Sequence, residues 1–239
     1  MSALTAWMDR AWYPGQARNW DDQLFRERIL ATLTSGSVVL DLGAGAGIVE
    51  QMNFRGLAKR VCGIDLDTRV TRNPSLNEGR VANAEAIPYR DGEFDIVFAD
   101  NVLEHLETPL NVFKEVQRVL APRGTFLFKT PNKWHYMPTI ARLTPHKFHR
   151  FVNRVRGRAE ADTFPTRYRA NTKRVIARLA AESGLLVESL ERIEGRPEYL
   201  RMTAPTYVIG AAYERLVNAT GLLALFRILL VGTLRKPQA

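Results

Sequence analysis

The sequence predicts an α/β protein built on a doubly wound, mostly parallel sheet. Three observations carry that expectation. Short apolar runs alternate with segments of helical period between Val38 and Lys129. The loop Asp41-Leu42-Gly43-Ala44-Gly45-Ala46-Gly47 sits where a strand should hand over to a helix. An acid, Asp65, closes the next apolar run at the roughly 20-residue separation typical of nucleoside-binding βαβ units.

The elements follow in order. Residues 1–35 read as one or two helices carrying Trp7, Trp12, Tyr13 and Trp20, with Leu24, Phe25, Ile29, Leu30 and Leu33 at helical spacing. Val38–Leu42 is apolar and ends in glycines, as a buried parallel strand does. Ile48–Leu57 is expected to be the helix after the loop, and Arg60–Asp65 the second strand. Arg80–Ala82 is a short third strand and Phe94–Ala99 a fourth. Val102–Leu120 is read as a helix whose apolar side holds Leu103, Leu106, Leu110, Phe113, Val116 and Leu120. Pro122-Arg123-Gly124 turns the chain into a fifth strand, Thr125–Lys129. The rhythm then stops, and residues 132–171 are rich in His, Arg, Pro and aromatics. A helix over Thr172–Ser183 closes at Gly184. A sixth strand over Leu185–Ile193, a helix over Tyr207–Val217 and a last strand over Phe226–Leu234 complete the reading. Alternating strands and helices imply right-handed crossovers and a parallel sheet.

Composition narrows the class. The chain has 239 residues, 46% hydrophobic and 25% charged, enough for one large folded domain. A single cysteine, Cys62, excludes an internal disulfide and a cysteine-rich metal site. No basic start followed by an apolar run marks a signal peptide, and Gly221–Leu234 is too short to span a bilayer, so a cytoplasmic location is expected. The formal net charge of +9 suits an anionic substrate, anionic lipid or nucleic acid, and equally a solvated basic face.

The glycine loop speaks to the ligand. Glycines let the backbone turn sharply and approach a bound group, and a following helix would offer free N–H groups and the positive end of its dipole. The dinucleotide fingerprint places its third glycine where this chain has Ile48; here the third glycine, Gly47, comes one position early. Asp41 immediately before the loop would repel a pyrophosphate and attract an ammonium group. S-adenosylmethionine carries an ammonium, a sulfonium, a carboxylate, a ribose and an adenine, and no phosphate. The charge pattern therefore favours it over NAD and disfavours a dehydrogenase.

Over roughly residues 36–131 the sequence resembles the class I S-adenosylmethionine-dependent methyltransferases, through VVLDLGAGAG (38–47), VCGIDLD (61–67), ANAEAIPYRDGEFDIVFADNVLEHL (82–106) and RVLAPRGTFLFKTPN (118–132). It looks most similar to the branch with quinone, sugar and small-molecule O-methyltransferases. The resemblance implies a seven-stranded Rossmann-like sheet whose last strand is antiparallel, with the cofactor over the carboxyl ends of the strands. It divides the chain into an N-terminal helical cap (1–35) and a methyltransferase domain (36–239), with a basic lid over 132–171 after the fifth strand and the C-terminal part of the sheet over 172–239. It implies that Gly43, Ala44, Gly45 and Gly47 line the methionine part and ribose, with Asp41 beside them. Asp65 would hold the ribose diol and Leu66 would flank the adenine. Asn83, Ala84 and Glu85 would surround the adenine rim, Asn83 standing where many relatives have Asp. Asp100 and Asn101 would lie under the amino-acid end.

Methyl transfer to a hydroxyl needs alignment and a proton acceptor. His105 is the first candidate base, following the fourth strand, and Glu104 could orient it or bind substrate; both could instead be ordinary helix-start residues. In the basic segment His135, Tyr136, His146, Lys147, His149, Arg150, Arg154, Arg156 and Arg158 could cover the acceptor. Phe164–Arg169 and Trp12, Tyr13, Asn19 and Trp20 could stack on a ligand or on the core. No metal is expected, because the histidines lack a carboxylate cluster. The leading reading is O-methylation of a small molecule, a sugar or a lipid-linked glycan, with an anionic acceptor suiting the basic lid. RNA methylation and a non-catalytic, cofactor-binding regulator are the alternatives. The stretch 203–234 could touch a membrane surface or pack on the sheet.

Overall fold

A computed structural model of the chain describes residues 2–16, 19–143 and 165–238. The seven strands are β1 (Val38–Leu42), β2 (Arg60–Asp65), β3 (Glu78–Val81), β4 (Phe94–Asp100), β5 (Leu120–Pro131), β6 (Leu186–Ile193) and β7 (Leu229–Arg235). They form one sheet in the order β3-β2-β1-β4-β5-β7-β6. β1 to β5 pair in parallel, and β7 runs antiparallel between β5 and β6. The doubly wound, mostly parallel seven-stranded Rossmann-like sheet is thus as expected.

The helices are α1 (Ala3–Trp12), α2 (Trp20–Leu30), α3 (Pro109–Val119), α4 (Tyr136–Leu143), α5 (Lys173–Ser183) and α6 (Ala204–Ala219). Two cores lie on opposite faces of the sheet. α2 buries Phe25 and Ile29 against Val39, Ile96, Phe98 and Leu127. α3 and α5 bury Val112, Phe113, Val116, Ile176 and Leu179 against Leu40, Val97, Ala99 and Phe126. In β4, Ile96 and Phe98 face one core and Val97 and Ala99 the other, the period of two that a strand covered on both sides requires. Each of these large side chains contributes about 1.5–3 kcal/mol by leaving water.

Several boundaries differ from expectation. The segment Ile48–Leu57 is not an α-helix; it holds a single 3-10 turn, Glu50–Met52. Two local contacts explain this. The Asn53 side chain accepts from the Arg55 amide at 3.0 Å, a turn that competes with helix, and Gly56 takes φ +85°. Arg26 of α2 donates to the Gln51 and Asn53 carbonyls at 2.6 and 2.8 Å, occupying acceptors a helix would have paired internally. The helix expected from Val102 begins only at Pro109, after Thr108, because proline favours the first helical position and disfavours helix at the residue before it. At the C-terminus, Leu222–Phe226 forms a 3-10 turn and the strand starts at Leu229.

Strand reversal between β1 and β4 opens a crevice at the carboxyl edge of the sheet, where ligands bind in such folds. Register extends that rim sideways. Pro131 of β5 pairs with Leu229 of β7, which pairs with Ile193 of β6, so residues 132–135, 194 and 228 share the edge with Asp100. α1 packs on α6, with Tyr207 donating to Asp9 at 2.6 Å. In the stretch 203–234, Tyr207, Ala211 and Val217 are buried while Val208, Ile209 and Leu216 are exposed. No described helix is long and apolar enough to cross a membrane.

Candidate functional site

The chain leaves β1 in left-handed backbone at alternate residues, with φ of +77°, +50° and +73° at Gly43, Gly45 and Gly47. The requirement is also steric: a Cβ on Gly43 would stand 2.4 Å from Val102 Cγ2, and one on Gly47 2.2 Å from Asn73 Oδ1. With no helix behind it, the loop has no helix dipole to offer. Side chains hold it instead. Asp65 accepts from the Gly45 amide at 2.8 Å through Oδ2 and from Asp67 N at 2.8 Å through Oδ1. Asn73 donates to the Ala44 and Gly45 carbonyls at 2.8 and 3.3 Å and accepts from Ser75 N. Sequence reasoning missed Asn73, which no local pattern announces.

Beneath the loop lies an acidic floor. Asp41 is buried, and burial, then the Asp100 and Asp65 carboxylates, push its pKa well above the usual range. Asp100 is raised to about 6, chiefly by burial, which the Lys129 ammonium partly opposes. Lys129 is fully buried at the end of β5 and donates to Asp21 at 2.9 Å and to Asp22, both from α2, and it lies 3.0 Å from Asp100 Oδ1. Burial disfavours its charge, but the three carboxylates outweigh that and raise its pKa. An ionisable residue between Phe128 and Thr130 in an otherwise apolar strand was the signal that could have found this cluster. Asn101 follows with φ +54°, its amide on the Lys129 carbonyl at 2.8 Å.

Loop and floor open onto a cavity of about 1240 Å³. Of the residues singled out from sequence, Asp41, Gly43, Ala44, Gly45, Gly47, Asp65, Asp100 and Asn101 line it. Asn19 and Trp20 from the N-terminal segment and His135 and Tyr136 also line it. Two buried donors among these have no hydrogen-bond partner, Trp20 Nε1 and His135 Nε2. Leu66, Asn83, Ala84, Glu85, Glu104 and His105 are not among the lining residues. Asn83 accepts from the Glu85 amide at 2.9 Å, and Glu85 in turn accepts from Thr108 N at 3.1 Å, just ahead of α3. Leu66 is 65% exposed. Glu104 is buried behind the floor and accepts from Thr130 Oγ1 at 2.8 Å, its pKa raised by burial. His105 Nδ1 lies 3.0 Å from the Pro165 carbonyl, an acceptor, so Nδ1 carries the proton, and Nε2 is 3.9 Å from Glu104. His146, Lys147, His149, Arg150, Arg154, Arg156, Arg158 and Phe164 of the expected lid lie outside the described residues.

Residues 40–128 match the family described as "Methyltransferase domain". Over 114 residues the chain is 36% identical to a malonyl-[acyl-carrier protein] O-methyltransferase of Geobacter sulfurreducens, covering 43% of each protein. Over 108 residues it is 32% identical to a ubiquinone biosynthesis O-methyltransferase of Thiobacillus denitrificans, covering 41% of this chain and 46% of that one. The chain thus spans less than half the length of these curated relatives. The structure of geranyl diphosphate C-methyltransferase from Streptomyces coelicolor A3(2), in complex with Mg²⁺, geranyl diphosphate and S-adenosyl-L-homocysteine, superposes with a TM-score of 0.59 at 15% identity, covering 96% of this chain and 88% of that one. At that identity the likeness speaks for the fold alone.

Over residues 40–128 the chain is thus similar to methyltransferase domains that use S-adenosylmethionine.

The cavity suits S-adenosylmethionine chemically. Buried acids at Asp41 and Asp100 match cationic groups, the Asp65 oxygens have further lone pairs for hydroxyls, and bare glycine backbone admits close approach. The cavity continues past this region to His135, Tyr136, Glu194, Tyr199, Met202 and Leu229, leaving room for a second reactant. Of these only His135 and Tyr136 stood out in the sequence.

Proposed function

We propose that the chain transfers a methyl group from S-adenosylmethionine to an oxygen of a small-molecule acceptor. The observation that carries this reading is the shared cavity: the glycine loop, Asp65 and the acidic floor line it together with His135, Tyr136, Glu194, Tyr199 and Met202. The relatives named as O-methyltransferases support oxygen as the methylated atom.

The cofactor supplies a methyl group already activated by a sulfonium. The protein's part is binding, alignment and proton removal. Asp65 would accept from the ribose hydroxyls while it holds the Gly45 amide in place. Asp41 and Asp100 would face the ammonium, whose charge lowers the cost of ionising both buried carboxyls. Gly43 to Gly47 would let main chain contact the methionine part. Leu66 and the Asn83–Glu85 turn lie beyond the described lining, so the adenine would reach them only at the rim. Alignment of acceptor oxygen and methyl in one cavity is worth up to about 7–11 kcal/mol in favourable systems.

The test pairs calorimetry with a label-transfer assay. S-adenosylhomocysteine should bind the purified chain, and methyl-labelled S-adenosylmethionine incubated with fractionated extract should label a small-molecule fraction. Label in RNA would replace the acceptor class. Tight binding with no label in any fraction would favour a non-catalytic regulator, and absence of binding would overturn the whole reading.

A further inference from the structure

We infer that His135 and Glu194 form the acceptor end of the cavity, gripping and deprotonating a hydroxyl carried on a flat, apolar body. The inference rests on the methyltransferase reading and adds where the acceptor sits and what takes its proton.

Geometry carries it. The pairing of Pro131, Leu229 and Ile193 brings His135 and Glu194 together on the same edge as Asp100, and both line the cavity. His135 is 1% exposed. Its Nδ1 accepts from the Met137 amide at 3.2 Å, so in the neutral ring the proton is on Nε2. Nε2 has no hydrogen-bond partner and stands 3.7 Å from Glu194 Oε2, too far for a bond. A buried donor left unmade costs about 1–3 kcal/mol, so its retention at a cavity wall points to a ligand oxygen as its partner. Burial lowers the His135 pKa to about 3, which keeps the ring a neutral donor over the working pH range.

Glu194 is the complementary group. Its Oε2 accepts from Ile228 N at 2.8 Å, which fixes the carboxyl at the wall. The charged and titratable groups around it are His135 and Tyr136 ahead of and on α4, Glu214 and Tyr213 on α6, Arg227 before β7, and Tyr13 after α1. Burial raises Glu194 to about 8; the Ile228 amide and Arg227 oppose the rise and Glu214 adds to it. Once ionised it is a strong base for a carboxylate. Beside the pair the cavity is lined by His135 and Tyr136, which Tyr213 braces from behind through ring contacts at 5.5 and 4.8 Å, and Tyr199, Met202 and Leu229 line it further. That wall fits a planar apolar acceptor.

The step balances as follows. A hydroxyl oxygen accepts from His135 Nε2 and donates its proton to a Glu194 carboxylate oxygen. An oxygen electron pair forms the O–CH₃ bond as the S–C bond breaks, its pair remaining on sulfur. The products are a methyl ether, a neutral thioether and a protonated Glu194, which then releases its proton to solvent.

The probe is 2-naphthol, a flat apolar phenol that stays un-ionised in water near pH 8 and whose ultraviolet spectrum reports ionisation, added to the chain saturated with S-adenosylhomocysteine. Wild type should bind it with a spectral shift toward the phenolate as pH rises through about 8, below the pH at which the free compound ionises. Glu194→Gln should abolish that shift and His135→Gln should weaken binding at least tenfold, while both keep S-adenosylhomocysteine affinity within about twofold. In wild type, the ¹⁵N resonance of His135 Nε2 should move on addition of the probe, a readout that needs no variant. An unmoved His135 resonance, or variants that bind and shift the probe as wild type does, overturns the inference and leaves the methyltransferase reading standing. Loss of S-adenosylhomocysteine binding by wild type would instead overturn that broader reading.

Discussion

Replacing Lys129 by methionine should cost this fold about 3 kcal/mol at pH 7.5, the lower end of the 3–5 kcal/mol lost when one partner of a buried ion pair is removed. The side chain is fully buried and is the only cation in contact with Asp21, Asp22 and Asp100 among the described ion pairs. Methionine matches its length and would fill the space, so packing is not the main loss. What remains is three carboxylates converging on an apolar tip. Two features keep the cost at the lower end. Asp21 and Asp22 have side chains 31% and 17% exposed and can turn toward water. Asp100, already raised to about 6, can take a proton. The penalty should therefore shrink at pH 5, where carboxyls protonate more readily. For a domain of this size each kcal/mol moves the melting temperature by about 2–4 °C, so the drop at pH 7.5 should be about 6–12 °C. Urea melts at pH 5 and 7.5 would measure it. If stranded negative charge is the cause, Asp22→Asn should destabilise wild type yet restore more than about 1 kcal/mol to Lys129→Met, the coupling a double-mutant cycle isolates. A loss under 1 kcal/mol, or no rescue by Asp22→Asn, would refute the reasoning.

Other consequences can be measured directly. S-adenosylhomocysteine carries an ammonium that an ionised Asp100 would attract, so its affinity should rise several-fold as pH climbs through about 6, and a flat calorimetric profile from pH 5 to 7.5 would count against that contact. Asp65→Ala should weaken the same ligand by about 10- to 150-fold, from the roughly 1.5–3 kcal/mol typical of hydrogen bonds to a charged group, with Asp65→Asn intermediate. Gly43→Ala forces a Cβ to 2.4 Å from Val102 in left-handed backbone and should cost at least about 1–2 kcal/mol from the conformation alone, visible in chemical denaturation. Asp9 is held below the usual carboxylate range, its burial outweighed by Arg201, Tyr207 and Arg196, so this tie between α1 and α6 should stabilise above the unfolded pKa and fade as pH falls. Asp9→Asn should flatten the acid limb of the stability profile.

Much of this architecture was legible because local and global signals agree. The second strand was read as Arg60–Asp65 and is found there, since an apolar run buried on both faces leaves little freedom. The helix closed by Gly184 is equally plain: Thr172 accepts from the Val175 amide and Gly184 takes φ +79°. The segment Ile48–Leu57 failed for the opposite reason. Its apolar residues satisfy a helical count, but Arg26, distant in sequence, captures the carbonyls, and no local pattern reports that. The site divides the same way. Asp41, Gly43, Gly45 and Asp65 are strand-end residues, placed by topology and so visible in order. Asn73, Glu194 and the Lys129 partners come from elements that meet only through tertiary pairing. His105 stood out by motif, yet its ring is engaged at Pro165 and does not line the cavity.

The buried ionisable groups of this cavity also set against one another in stability. Asp100 and Glu194 have raised pKa values, about 6 and about 8, so each binds more protons folded than unfolded between its ordinary value and the raised one. Their contribution is fully present at low pH and is lost as pH rises through those values. His135 is lowered to about 3, so it binds fewer protons folded, and its contribution improves as pH rises from about 3 toward its unfolded value. Above that value the Asp100 loss is complete and only the Glu194 loss continues, so each unit of pH toward 8 makes the empty cavity costlier to keep. A cofactor whose ammonium neutralises the floor and an acceptor whose oxygen satisfies His135 remove both penalties together. Binding should therefore stabilise the chain more at pH 8 than at pH 6, beyond what occupancy at equal saturation provides. Thermal melts with saturating S-adenosylhomocysteine and the phenol probe together at the two pH values would measure the difference. An equal shift at both would mean that these groups do not face the bound molecules.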